Sequence, residues 1–287
     1  MVYPVKAALE NIDNIYTPTA YLLYAMASPP NPIQTMNRIV APPAVGETPP
    51  PQQTIVDIEK KPKTPEHPVQ HYVKFSFTIT YILLLTTATI TLIEALRTSN
   101  PVVRHVLNLE TCISVVAGYF YSIFVAQIDK YSFEQKEIDW SEISKTRYID
   151  WTITTPMMLL ALCVVLGNES GQKVRIPIIL TIIMLNYAML FLGYLGELGS
   201  LSRWTSMISG FVFFGAMFTL IFRQFVLPKY SLANYILFGL YFTVWSFYGV
   251  VYMLGESYKN IAMNVLDLTA KCMIGLGLWA YYTKIVR

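Results

Sequence analysis

Seven apolar stretches, each close to the roughly 20 residues needed to cross a bilayer as a helix, constrain this chain more than anything else in it. They are Val73–Leu96, Val106–Gln127, Ile149–Leu166, Ile176–Leu195, Met207–Leu227, Tyr235–Leu254 and Ile261–Tyr282. In hydrocarbon the backbone must satisfy its own hydrogen bonds, so stretches of this length fold as helices. The chain is 54% hydrophobic and 14% charged, and its charges cluster between the stretches. Short connections leave one compact domain. The expectation is an all-α membrane protein, a seven-transmembrane helix bundle held in membrane lipid.

Lysine and arginine bias in short loops sets orientation. Arg97 and Arg104 follow span one, Lys173 and Arg175 follow span three, Arg223 and Lys229 follow span five, and Lys284 and Arg287 end the chain. These fall on one side, taken as cytoplasmic, which puts the N-terminus outside and the C-terminus inside. The loop after span two carries both signs. Residues 1–70 hold most of the prolines and read as an irregular or polyproline-like, disordered extracellular extension. Residues 71–287 form the helical domain. The patch Ala20–Met26 is too short to span and lacks the basic flank of a signal peptide. Cys112, Cys163 and Cys272 lie within spans as small packing residues, with no zinc or disulfide spacing. His67, His71 and His105 suggest no metal site, and a net charge of +3 gives no case for nucleic acid.

Lys271 lies in the apolar seventh span, one turn after Asp267. An ionisable residue at membrane depth is expensive and marks function. Such an amine either pairs as an ammonium or, when desolvated, condenses with a carbonyl compound as a Schiff base. Polar residues recur at helical spacing on three spans: Ser76, Thr80, Thr87, Thr91 and Glu94 on the first, Glu110, Ser114, Gly118 and Tyr121 on the second, and Ser257, Asn260, Asn264, Asp267 and Lys271 on the seventh. Hydroxylated stripes serve equally as helix–helix glue. Glu110, Asp267 and Lys271 are harder to explain as packing. On span three, Arg147, Asp150 and Thr154 share a face. Two acids, Asp150 and Asp267, suit a charged imine on Lys271, with Arg147 offsetting the second negative charge. Trp151, Trp245 and Tyr248 are suited to clamping a long flat polyene, although aromatics at such spacing are commonly core.

Arg147-Tyr148-Ile149-Asp150-Trp151-Thr152-Ile153-Thr154-Thr155-Pro156, Trp245-Ser246-Phe247-Tyr248 and Leu266-Asp267 through Lys271 resemble the microbial (type I) rhodopsins over about residues 72–285. Gly193-Tyr194-Leu195-Gly196-Glu197 is similar to the fourth helix of the proteorhodopsins. The resemblance implies all-trans retinal on Lys271, Asp150 and Asp267 as counterions, and Arg147 and Thr154 beside them. Tyr148, Trp151, Thr155, Met158, Trp245 and Tyr248 would line the retinal pocket. Met158 matches the colour-tuning position, where an apolar residue implies green absorption.

The sequence departs from the pump pattern. Ala161 stands where many proton pumps carry a donor acid, Lys259 where an outward pump has a release-group acid, Phe120 near a family histidine, and Gly249 where proline is usual. Glu110 inside span two, with Ser76, Ser114, Lys259 and Asn264, forms an expected ion path, and acidic linings favour cations. Leu109-Glu110-Thr111-Cys112, Gly118-Tyr119-Phe120-Tyr121 and the Lys259/Asn264 pair resemble the group I rhodopsins of large algal viruses, described as light-gated cation channels. The expected function is a light-gated cation channel, not an enzyme. A slow light-driven outward proton pump is the alternative, and a photosensory receptor the third. The resemblance also implies a homo-oligomer: a dimer, trimer or pentamer.

Overall fold

The computed structural model describes residues 68–134 and 136–283. The expectations for the Pro-rich region before Pro68, the patch Ala20–Met26 included, lie outside the described residues, as do Lys284 and Arg287. The chain forms α1 (Pro68–Arg97), α2 (Pro101–Phe133), α3 (Trp140–Ser170), α4 (Ile176–Glu197), α5 (Arg203–Ile221) with a π-helical turn Phe222–Val226, and α6 (Leu232–Val251). A seventh span is built from α7 (Glu256–Asp267), a π-helical segment (Leu268–Met273) and α8 (Ile274–Tyr282). Seven helices are long and apolar enough to cross a membrane, and no strand occurs among the described residues. The protein is a seven-span integral membrane protein.

Local chemistry fixes the ends. Asn100 caps α2, its Oδ1 accepting from the amides of Val102 (2.9 Å) and Val103 (3.4 Å), with Pro101 supplying the preset first-turn φ. Asp139 caps α3 by accepting from Ser141 N (2.9 Å) and Glu142 N (3.2 Å). That cap starts α3 at Trp140, well before the apolar run at Ile149. Gly171, at φ 70°, ends α3 in the left-handed region, which costs a glycine nothing.

α1 packs along α2 and α4 along α5, α3 joins these pairs, and α7 closes the ring against α1. The inner faces form an apolar cluster around Leu162, Phe214, Phe218 and Trp245, and a second around Phe77, Leu84 and Phe124. Leu180, Met184, Ile208 and Val212 face outward, where lipid solvates them. Lipid tails are as apolar as leucine, so burial alone does not hold such helices together. Interior polar contacts and close packing must do so. The polar stripes read from the sequence face inward except at their ends, where Glu94 and Ser257 are half-buried. Ser76, Thr80, Thr87, Thr91, Glu110, Ser114, Asn260, Asn264, Asp267 and Lys271 are all buried. Part of the glue expectation holds as well: Thr91 Oγ1 meets Thr111 Oγ1 between α1 and α2 at 2.8 Å, whereas Thr80 and Thr87 return their hydroxyls to carbonyls of their own helix.

Candidate functional site

α3 and the seventh span bring four charges together at the centre. Lys271 Nζ donates to Asp150 Oδ2 at 2.7 Å and lies 3.6 Å from Asp267 Oδ2, one turn earlier. Arg147 Nη1 is 3.5 Å from the same Asp267 oxygen. All four side chains are at most 2% exposed. Two cations and two anions leave the group neutral, which is the condition under which buried charges persist. Asp267 is the more enclosed acid. It accepts from Tyr121 (2.8 Å), Tyr248 (2.6 Å) and Trp151 Nε1 (3.3 Å). Asp150 holds only the lysine, and its Oδ1 has no hydrogen-bond partner among the described residues. The two acids thus differ: Asp267 is fixed from three sides, and Asp150 retains capacity to accept a proton.

Arg147 continues the network away from the lysine. Its Nη2 donates to Asn264 (2.9 Å) and Asn260 (3.1 Å), and Asn264 Nδ2 donates to Ser76 Oγ (2.9 Å) on α1. The guanidinium lies over the rings of Phe77 and Phe124, 5.3 and 5.0 Å from their centroids. Beyond it, Lys259 Nζ touches Glu197 at 2.8 and 2.9 Å and Glu256 at 2.8 Å, and Glu256 also binds Arg203. Sequence reasoning placed Lys259 on an ion path and missed this cluster. The available signal was Glu197 at the end of an apolar span, facing a loop basic residue.

Toward the α8 end lies Glu110. It is 2% exposed, its Oε1 has no hydrogen-bond partner among the described residues, and neither has the neighbouring Ser114 hydroxyl. Its Oε2 packs against Gly275, where a β-carbon would lie 2.9 Å away. Gly275 is one turn beyond Lys271. Asp150 and Glu110 therefore flank the lysine from opposite directions along the seventh span. Ala161 is fully buried.

Lys271 and Asp267 stand at the wall of a cavity bounded by α3, α4, α5, α6 and the seventh span. Tyr148, Trp151, Thr155, Met158, Trp245 and Tyr248, six residues singled out from the sequence, all line it. Thr154 is buried beside them, returning its hydroxyl to Asp150 O at 2.9 Å. Asn186, unremarked in the sequence, donates to Thr155 at 2.8 Å and braces this wall. Gly249 gives the Phe211 ring its seat, since a β-carbon there would collide with it. The chemistry of this cavity is that of an apolar, ring-walled slot with one amine.

A seven-span bundle with a buried lysine–carboxylate centre opening on an apolar slot defines a class of membrane protein. Residues 71–285 match the family of bacteriorhodopsin-like proteins, and the chain belongs to it. Members of this family, the microbial rhodopsins, bind retinal and respond to light. The crystal structure of viral rhodopsin OLPVRII is similar at 42% identity and a TM-score of 0.69, over 75% of this chain and 99% of that one. Blue light-absorbing proteorhodopsin from Med12 is 21% identical at a TM-score of 0.58, covering 74% of this chain and 97% of its own. Exiguobacterium sibiricum rhodopsin is 19% identical at 0.61, covering 74% and 95%. These last two share the fold. A search of curated proteins found no match.

Proposed function

We propose that this chain binds all-trans retinal through Lys271 and uses light to move protons outward, with Asp150 as acceptor and Glu110 as donor. The slot fits the group: its length is walled by rings, one of them the Phe211 ring seated on Gly249, and its one amine is buried beside two acids. Bound there, retinal supplies light absorption and an isomerisation that re-aims the proton on Nζ. Asp150 is placed to take that proton at 2.7 Å, on the Arg147 side of the lysine. Asp267, held by Tyr121, Tyr248 and Trp151, stays as the fixed negative charge. Trp151 and Trp245 exclude water from the slot.

Glu110 carries the reading. The donor missing at Ala161 has a substitute on another helix, buried, with a free oxygen, one turn along from the lysine on the opposite side from Asp150. A carboxyl in that position returns a proton without opening a path from side to side. The cation-channel reading, drawn from the group I viral resemblance, ranks second. The observation favouring it is the polar seam Ser76–Asn264–Tyr121 where α1, α2 and the seventh span meet. A cation on that route must pass Arg147, whose charge opposes it. Light-evoked current under voltage clamp separates the two. A pump passes outward current at every physiological voltage; reversal near a cation equilibrium potential that follows the imposed gradient makes it a channel.

A further inference from the structure

A lipid-soluble aldehyde must reach Lys271 from the bilayer, and the bundle offers two walls to cross. On the first, a crevice with about 720 Å³ of empty space opens between α3 and α4. Ile149, Tyr187 and Phe191 line it and are exposed on the outer surface, where lipid lies. Two further residues, Tyr148 and Leu190, line both this crevice and the central cavity. They are the partition between bilayer and lysine. Three tyrosines border the cavity, and two are latched: Tyr248 donates to Asp267 at 2.6 Å and Tyr252 to Gly193 O at 3.0 Å. The Tyr148 hydroxyl makes no hydrogen bond among the described residues. It lies instead over Gly193, where a β-carbon would be only 2.6 Å away. Glycine there gives the ring clearance to turn.

The second wall, between α5 and α6, is crossed by aromatic contacts. Phe214 contacts Phe242 with ring centroids 5.3 Å apart, and Phe218 contacts Trp245 at 6.0 Å. Tyr148 also meets rings, Trp151 at 5.3 Å and Tyr194 at 5.2 Å, but without a hydroxyl latch. What distinguishes the α3–α4 wall is the lipid-facing crevice that shares Tyr148 and Leu190 with the cavity. We infer that retinal enters between α3 and α4, with Tyr148 as the moving partition. This rests on the retinal reading of Lys271. The crevice is the route of loading, and those of its residues that do not also line the cavity set the rate of pigment formation without setting the final pigment.

The test uses the full chain produced without retinal, reconstituted in phosphatidylcholine vesicles, with all-trans retinal added and the visible band followed in time. Thr152→Trp, which fills the crevice from the exposed α3 face, and Gly193→Ala, which wedges Tyr148, should each slow the rise about tenfold or more, equivalent to ~1.4 kcal/mol of added barrier. Thr152→Trp should reach the wild-type final absorbance and band position. Val212→Trp, on the lipid face of α5, should load at the wild-type rate. Phe191→Ala widens the crevice and should speed loading, so the inference stays testable if the tryptophan variant fails to fold. Unchanged rates in Thr152→Trp and Gly193→Ala, or in Phe191→Ala, overturn the portal while leaving the retinal reading standing. Absence of any visible band in the wild type removes both.

Discussion

Replacing Lys259 with methionine tests whether this residue conducts or locks. Methionine keeps most of the length and removes the charge. Lys259 is 1% exposed and its ammonium is shared between Glu197, 6% exposed, and Glu256, 28% exposed. After Lys259→Met, Glu256 still has Arg203, whereas Glu197 retains, among the described residues, Ser144 Oγ at 3.3 Å. Removing one partner of a buried ion pair costs about 3–5 kcal/mol, because the other charge is left uncompensated. For a domain of this size each kcal/mol moves the thermal midpoint by ~2–4 °C, so the expected fall is roughly 6–20 °C. The stranded charge is the cause, so the double variant Lys259→Met with Glu197→Gln should recover most of the loss. The assay is thermal bleaching of the retinal-loaded protein in detergent. A midpoint for Lys259→Met within about 2 °C of wild type, or a double variant whose loss is the sum of the two singles, would show that the cluster does not hold α4 to the seventh span.

Three further outcomes are expected. Lys271→Ala, folded and supplied with retinal, should form no visible pigment; a persistent band would place the attachment elsewhere. Glu110→Gln should slow the photocycle step that returns the proton by about 10²–10⁴, the usual worth of a positioned acid, with partial rescue by a small weak acid in the medium; flash photolysis at unchanged rate would exclude Glu110 as donor. Tyr248→Phe removes a 2.6 Å hydrogen bond to a buried carboxylate and should cost about 1.5–3 kcal/mol of stability, read from denaturant-induced bleaching midpoints; no change would mean that Tyr121 and Trp151 suffice to hold Asp267.

The bundle was legible because hydropathy in a membrane chain reports length directly. Its errors have a physical pattern. The apolar span reads from Ile149 and the helical motif from Arg147, whereas α3 starts at Trp140; Glu142 reads as a loop charge although the helix runs beneath it. α6 ends at Val251, before the apolar Tyr252-Met253-Leu254, because apolarity does not stop where hydrogen bonding does. At the site, residues within one helix were easy: Arg147, Asp150 and Thr154 share a face by spacing alone. Contacts between helices were not. That Tyr121 would bond Asp267, and Lys259 would bond Glu197, depends on how α2, α4 and the seventh span pack, and no periodicity within one span encodes that. Glu110 shows both sides. Its burial was readable, but its place beside Gly275 was not.

The π-helical segment Leu268–Met273 changes how the seventh span is phased. A π turn fits one extra residue into the space of an α turn, so the sequence positions that share a face before and after it are offset by about 100° from unbroken α-helical spacing. Asp267, before the segment, faces Tyr121 and Arg147, while Gly275, after it, faces Glu110. The two halves of the span are therefore indexed separately, and Lys271 sits at the joint. The segment acts as the gearing between the two ends of the molecule.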